Sequence, residues 1–265
     1  MSADIYLNGA TLMTTPTQRV VAIAREAGFT GIEARAERLL QDAEEVRATA
    51  ATARPNEVLS LNGVALSLLP DGRIHRELLE ADLEARLRLC REVGSPYLLA
   101  IAPRAPGLPA SRAIPGTRDA LQLARDRAGA MGLRIAFEFL GFGDSPINTP
   151  ALAAETIQGI DGIWLVLDSC HWHASGSLPL DGYPIGRLAL VHLNDAPRKP
   201  PREVEDGDRV LPGDGVVKLA ELVRQLRQGG YAGPWSLETF NPAYWLEDPS
   251  SVAGRGLAAV ERILQ

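Results

Sequence analysis

Four residues able to bind a metal ion each close a short apolar run: Glu138 after Ile135-Ala136-Phe137, Asp168 after Ile163-Trp164-Leu165-Val166-Leu167, His192 after Leu188-Ala189-Leu190-Val191, and Glu238 after Trp235-Ser236-Leu237. Three carboxylates and one imidazole form an oxygen-rich donor set that suits Mn, Zn, Co or Mg and is unsuited to soft-metal chemistry. Brought together without a cation, the carboxylates would repel one another strongly, and one divalent ion removes that cost. Such an ion acts as a Lewis acid on a ketone or on adjacent hydroxyls and stabilises the charge of an enediolate as the neighbouring C–H proton leaves. Glu138 and Glu238, facing each other across that carbon, would then take and return the proton.

Apolar runs of this length that end at turn-type or charged residues read as buried strands. The four groups therefore fall where strands end, the edge at which parallel α/β sheets and barrels build their sites. The same reading gives strands at 5–8, 31–33, 58–62 and 97–102. Between them it gives helices from Thr15-Pro16 to Gly28, through about Arg54, over 75–93 with a stop at Gly94, and over 114–131 with a stop at Gly132. Asn148-Thr149-Pro150 supplies a cap with Pro in the first turn of a short helix, and 249–264 closes the chain.

Eight strand–helix units in 265 residues, at ~33 residues each, predict a (β/α)8 TIM barrel forming a single domain over residues 1–265. A doubly wound open sheet is the alternative, but no Gly-x-Gly-x-x-Gly follows a strand to cradle a dinucleotide. Asn8, Glu33 and Asn62 also close apolar runs and bring hydrogen-bonding groups to the same rim. Such a lining suits a polyol. Residues 196–208, with Pro197, Pro200, Pro201 and many charges, form a long polar loop of the kind that tends to be functional.

The composition, 46% hydrophobic and 23% charged, is that of an ordinary globular chain long enough to bury about three quarters of its unfolded surface. A net charge of −6 and a pI near 5.3 argue against general affinity for nucleic acid or an anionic membrane, which needs clustered Lys and Arg. A neutral small molecule fits better. No segment reaches the ~18 apolar residues of a membrane span, and Met1-Ser2-Ala3-Asp4 lacks the character of a signal peptide, so a cytoplasmic location is expected. Cys90 and Cys170 are too few for a disulfide framework and read as reduced, structural thiols.

Five segments carry a resemblance to a known family: 137–141 (FEFLG), 165–177 (LVLDSCHWHASGS), 192–195 (HLND), 209–215 (RVLPGDG) and 237–245 (LETFNPAYW). In order and spacing they are similar to the xylose-isomerase-like barrels of sugar isomerases and epimerases, most of all to inosose isomerases, and the likeness runs from Asn8 onward, strongest in the second half. The resemblance implies one divalent ion held by Glu138, Asp168, His192 and Glu238, with the two glutamates as the proton-transfer pair. It implies that His171, three residues after Asp168, bonds a substrate hydroxyl, and that Arg198, six after His192, contacts the sugar. His173 is a weaker candidate of the same kind. Asn8 and Asn62 are assigned to substrate binding, and Asp195 to accepting a proton from the second imidazole nitrogen of His192. Phe240, Tyr244 and Trp245 would wall the pocket or cover the rim, and Trp172 reads similarly.

With no basic cluster or Gly-rich loop at the seventh and eighth strand ends to grip a phosphate, the expected substrate is an uncharged inosose or ketose. The alternatives are a keto-inositol dehydratase using the same metal site and a non-catalytic polyol-binding barrel. With four histidines in all and an acidic charge, the chain does not fit the zinc-rich, phosphodiester-cleaving barrels of the endonuclease IV type. Relatives of this kind are commonly dimers or tetramers, so a homo-oligomer is expected.

Overall fold

Eight parallel strands pair in chain order and close on themselves: β1 (Ile5–Asn8), β2 (Gly31–Arg35), β3 (Val58–Ala65), β4 (Tyr97–Ile101), β5 (Arg134–Glu138), β6 (Ile163–Asp168), β7 (Leu188–Leu193) and β8 (Trp235–Leu237), with β8 bonded to β1. The computed structural model describes residues 3–265. Readings that fall on Met1 and Ser2 lie outside the described residues. The closed barrel, not the open sheet, is the architecture.

The helices are α1 (Thr17–Ala27), α2 (Ala36–Leu39), α3 (Ala43–Thr52), α4 (Arg76–Val93), α5 (Ala110–Gly129), α6 (Pro150–Ile157), α7 (Ser169–Ala174), α8 (Leu219–Gln228) and α9 (Pro249–Leu264). Gly28 and Gly94 end α1 and α4 at φ +103 and +74, a conformation glycine adopts without steric cost. Thr149 caps α6 by accepting from Leu152 N. Two expectations shift. The helix through Arg54 is two helices, because Asp42 accepts from the N–H groups of Glu44 and Glu45 and starts a new one. α5 opens at Ala110 and carries Pro115 inside it. The segment after Asp168, to which the sequence pattern assigns no element, is the short helix α7.

Two strands outrun their apolar runs. β2 continues past Glu33 to Arg35, whose polar side chain hides the strand from an apolarity criterion. β3 continues past Asn62 to Ala65 after a register shift and pairs with Ala100 and Ile101. Glu33 and Asn62 therefore sit within strands, not at their ends.

Side chains alternate across a strand, so Ala136, Val166 and Leu190 share the inner face with Glu138, Asp168 and His192, two residues below each. These three belong, with Leu99 and Tyr97, to a small apolar cluster separate from the large strand–helix core. The barrel interior is thus filled with apolar side chains below a polar layer. At the opposite end the Arg134 guanidinium lies over the rings of Tyr97 and Trp164. Cys90 and Cys170 are free and buried. Among the described residues no helix is long and apolar enough to cross a membrane.

Candidate metal centre

The strands deliver Glu138, Asp168, His192 and Glu238 to one point. Each is at least 97% buried, and one ligand atom from each lies within 4.8 Å of the others. His192 Nδ1 faces the carboxylates, 3.0 Å from Glu138 Oε1, 3.2 Å from Glu238 Oε2 and 3.9 Å from Asp168 Oδ2. Asp168 has two tasks: Oδ1 accepts from His171 N and starts α7, which leaves Oδ2 toward the cluster.

A ring of polar groups holds these carboxylates. Asn8 Nδ2 and Asn62 Nδ2 each donate to Glu238 Oε1 at 3.0 Å. Arg209 Nη1 donates to Asp168 Oδ2 at 3.0 Å and Glu238 Oε2 at 2.8 Å, while its Nη2 reaches His171 Nε2 at 3.2 Å and Asp206 Oδ1 at 2.7 Å. Asn194 Nδ2 donates to Asp168 Oδ2 at 2.6 Å. Arg35 Nη1 lies 3.7 Å from Glu238 Oε1, and the guanidinium groups of Arg35 and Arg209 both stack on Phe240.

The electrostatics suit a dication. Burial, with Glu238 and Asp168 close by, pushes the Glu138 carboxyl up to about 7 in spite of His192. Burial opposes the charge on Glu238 too, but His192, Arg209 and Arg35 hold that carboxyl well below the usual range. Burial likewise opposes a charged His192, yet Glu238, Glu33 and Glu138 raise it well above its ordinary value. Of the four buried carboxylates, Glu33 included, Asp168 and Glu238 have guanidinium partners, Arg209 for both and Arg35 for Glu238 at 3.7 Å, so with a neutral imidazole negative charge stays in excess. A divalent ion at this point would offset that excess and take the place of a proton on the imidazole. The donor set fits Mn, Zn, Co or Mg alike.

Not every residue singled out in the sequence does what was expected of it. Asp195 does not reach His192: its Oδ1 accepts from Ala196 N and Val217 N and its Oδ2 from Gly213 N, which ties the long seventh loop together. The partner of His192 Nε2 is Glu33 Oε1, at 3.0 Å. Arg198 is exposed on that loop and makes no hydrogen bond to the cluster among the described residues. Arg209, 99% buried, stands at the cluster instead. Asn8 Nδ2 donates to Glu33 and Glu238 and its Oδ1 accepts from Ala10 N, so it braces carboxylates. Asn62 braces Glu238 as well.

His171 is where the sequence puts it, beside Asp168 and edge-on to Phe142, and burial pushes its pKa down to about 4. Gly141 permits this: a Cβ there would overlap the His171 backbone. His171 Nδ1, Arg209 Nε and Arg35 Nη1 are buried without a hydrogen-bond partner among the described residues, as expected where a ligand completes the bonding. His173 is buried with Nε2 unpartnered. Tyr244 accepts from Leu211 N and Trp245 donates to Ala10 O, so both fasten the rim. Trp172 is core.

Arg209 begins one of the segments that carried the family resemblance, and a lone basic residue before Val210-Leu211-Pro212-Gly213 was the available signal. Arg35 left none beyond following Glu33 by two. A cavity of about 560 Å³ has Arg104, Phe142, Asp144, Arg202, Glu205 and Asp206 in its wall. Phe142 and Asp206 connect it to His171 and Arg209.

A family model described as xylose isomerase-like TIM barrel matches residues 21–263. An inosose isomerase of Halalkalibacterium halodurans is 36% identical over 118 residues, 43% of this chain and 42% of that protein, so the match spans less than half of that relative. An inosose isomerase of Bacillus subtilis is 29% identical over 199 residues, 71% of this chain and 69% of that protein. A solved structure of the IolI protein with a bound zinc atom superposes with a TM-score of 0.86 at 23% identity, covering 98% of each chain. That likeness establishes the shared fold.

Proposed function

The chain belongs to the xylose isomerase-like TIM-barrel family, and we propose that within it the protein is a divalent-metal-dependent isomerase or epimerase of an uncharged keto-polyol, an inosose or a ketose. The observation that carries this reading is the buried convergence of Glu138, Asp168, His192 and Glu238 at the end of the barrel where strands deliver their polar residues. The inosose isomerase relatives support the substrate class.

In this reading the four residues hold one ion, which when bound supplies Lewis-acid polarisation of the carbonyl and of a neighbouring hydroxyl oxygen. Glu138 and Glu238 take the proton from the carbon beside the carbonyl and return it. Return to the other face of that carbon epimerises it; return to the former carbonyl carbon, while the hydroxyl proton passes to the former carbonyl oxygen, isomerises it. Asn8 and Asn62 fix Glu238 Oε1 through two donors, which aims the other oxygen. His171 Nδ1 and Arg209 Nε, both lacking a partner, supply hydrogen bonds for substrate hydroxyls. The cavity wall carries Asp144, Glu203, Glu205 and Asp206 against Arg104 and Arg202. That acidic excess favours a neutral polyol over a phosphorylated or carboxylated one.

The test is solvent-deuterium exchange across a panel of inososes and ketoses, with wild type, Glu138→Gln and Glu238→Gln. The expected result is deuterium at the carbon beside the carbonyl in wild type and its loss in both variants. A product lighter by one water would replace isomerisation by dehydration. Ligand binding without exchange on any substrate would leave a binding barrel.

A further inference from the structure

Among the described residues, Glu33 is the one fully buried carboxylate of the barrel interior that lies outside the four-residue cluster. It receives four donors from four strands: Asn8 Nδ2 at 3.1 Å from β1, Ser60 Oγ from β3, His192 Nε2 at 3.0 Å from β7 and Ser236 Oγ from β8. Three of these meet on Oε1 and the fourth on Oε2. The imidazole of His192 stands between Glu33 and the cluster, with Nε2 on one side and Nδ1 on the other. Glu33 is not among the residues whose ligand atoms converge within 4.8 Å of one another.

A buried carboxylate is costly to desolvate, by several kcal/mol even after relaxation, and neutral acceptors could satisfy Asn8, Ser60 and Ser236 equally well. What a neutral group could not supply is negative charge on the far side of the imidazole. With Glu33 accepting, the ring proton is drawn to Nε2, Nδ1 presents its lone pair to the cluster, and the ring becomes more basic toward a cation. Asn8 joins the two halves, since the same amide bonds Glu33 Oε1 and Glu238 Oε1.

We propose that Glu33 is the positioning residue of the metal centre: it fixes the Nε2–H tautomer of His192 and sets the affinity for the divalent ion without touching it. This rests on the metal centre of the proposed function. The serine and asparagine donors hold Glu33 in place as an acceptor.

The experiment compares wild type with Glu33→Gln, using Zn(II) alone as the probe. Zinc dissociation constants are measured by chelator competition, and the His192 ring nitrogens are read by long-range ¹H–¹⁵N NMR on the zinc-loaded protein. The expected result is a dissociation constant raised roughly 10–100-fold in Glu33→Gln, with circular dichroism unchanged. In wild type, zinc sits on Nδ1, and a downfield Nε2 proton moves upfield in the variant. An affinity within about twofold of wild type, far short of that loss, overturns the proposal whatever the spectrum shows, and so does zinc on Nε2. Should Glu33→Gln fail to fold, the wild-type spectrum decides by itself: a protonated Nε2 with zinc on Nδ1 supports the proposal, and a bare Nε2 overturns it. Wild type that binds no zinc overturns the metal centre itself, whereas wild type that binds and a variant that binds equally well overturn only the role of Glu33.

Discussion

Arg209→Met removes a guanidinium that is 99% buried and donates to Asp168, Glu238 and Asp206 while touching His171. Methionine keeps most of the side-chain volume, so the loss is of charge and hydrogen bonds, not of packing. Asp168 and Glu238 are both at least 98% buried, and stripping the partner from a buried ion pair costs about 3–5 kcal/mol, because the remaining charge is left uncompensated. For a chain of this size 1 kcal/mol moves the midpoint by roughly 2–4 °C, so the metal-free variant should melt roughly 6–20 °C below metal-free wild type. A divalent ion would replace part of the lost positive charge. At 100 times its dissociation constant it contributes about 2.7 kcal/mol, or roughly 5–11 °C. Thermal unfolding followed by circular dichroism, in EDTA and then in excess metal, reads both effects. A metal-free midpoint within about 2 °C of wild type would show that Arg209 does not balance these carboxylates, since even the low end of the range exceeds it.

Asp195→Ala should loosen the seventh loop, because three backbone N–H groups lose their acceptor; a stability loss of about 1–3 kcal/mol and faster proteolysis within 196–217 are expected, with metal affinity unaltered. Arg198→Ala should leave kcat/KM within about twofold of wild type, as for an exposed loop charge, and a large loss in steady-state kinetics would return Arg198 to the site. Cys90 and Cys170 should resist a thiol reagent at pH 8 in the folded protein and react on unfolding: burial pushes the Cys90 thiol up to about 12 and raises Cys170 as well, and the thiolate is the reactive form. Rapid labelling of the native protein would contradict that burial.

The barrel and the four converging residues were legible because each residue interrupts an apolar run at its end, and in a parallel barrel the ends share one rim. That logic depends only on strand periodicity. It carries no information about groups that reach the site across a loop. Arg198 follows His192 by six positions, but residues 194–218 follow their own path, with two 3-10 turns and an antiparallel bridge from Asp195 to Val210, so distance along the chain does not fix position. The same bridge carries Arg209 back to the cluster.

Asp195 is close to His192 in sequence, yet it lies two residues beyond the end of β7, in the bridge to Val210, and its carboxylate accepts from loop N–H groups. Gly215 marks this packing, since a Cβ there would overlap Ala196 O and the Asp195 carboxylate. Glu33 was visible as a polar strand residue, but its pairing with His192 spans 159 positions. Only barrel closure brings β2 and β7 side chains to one axis. Arg35 and the continuation of β3 carry no strand signal, because the polar inner face of this barrel breaks the apolar pattern by which strands are recognised.

The most direct measurement is the metal content of the purified protein after equilibration with Mn(II) or Zn(II) and removal of free ion, set beside the same protein with Asp168→Asn and His192→Asn. The account predicts about one equivalent per chain in wild type and almost none in the double variant, since losing two of four ligands removes most of the binding free energy of a single site. Wild type that retains no ion, or a double variant that retains as much as wild type, would contradict it.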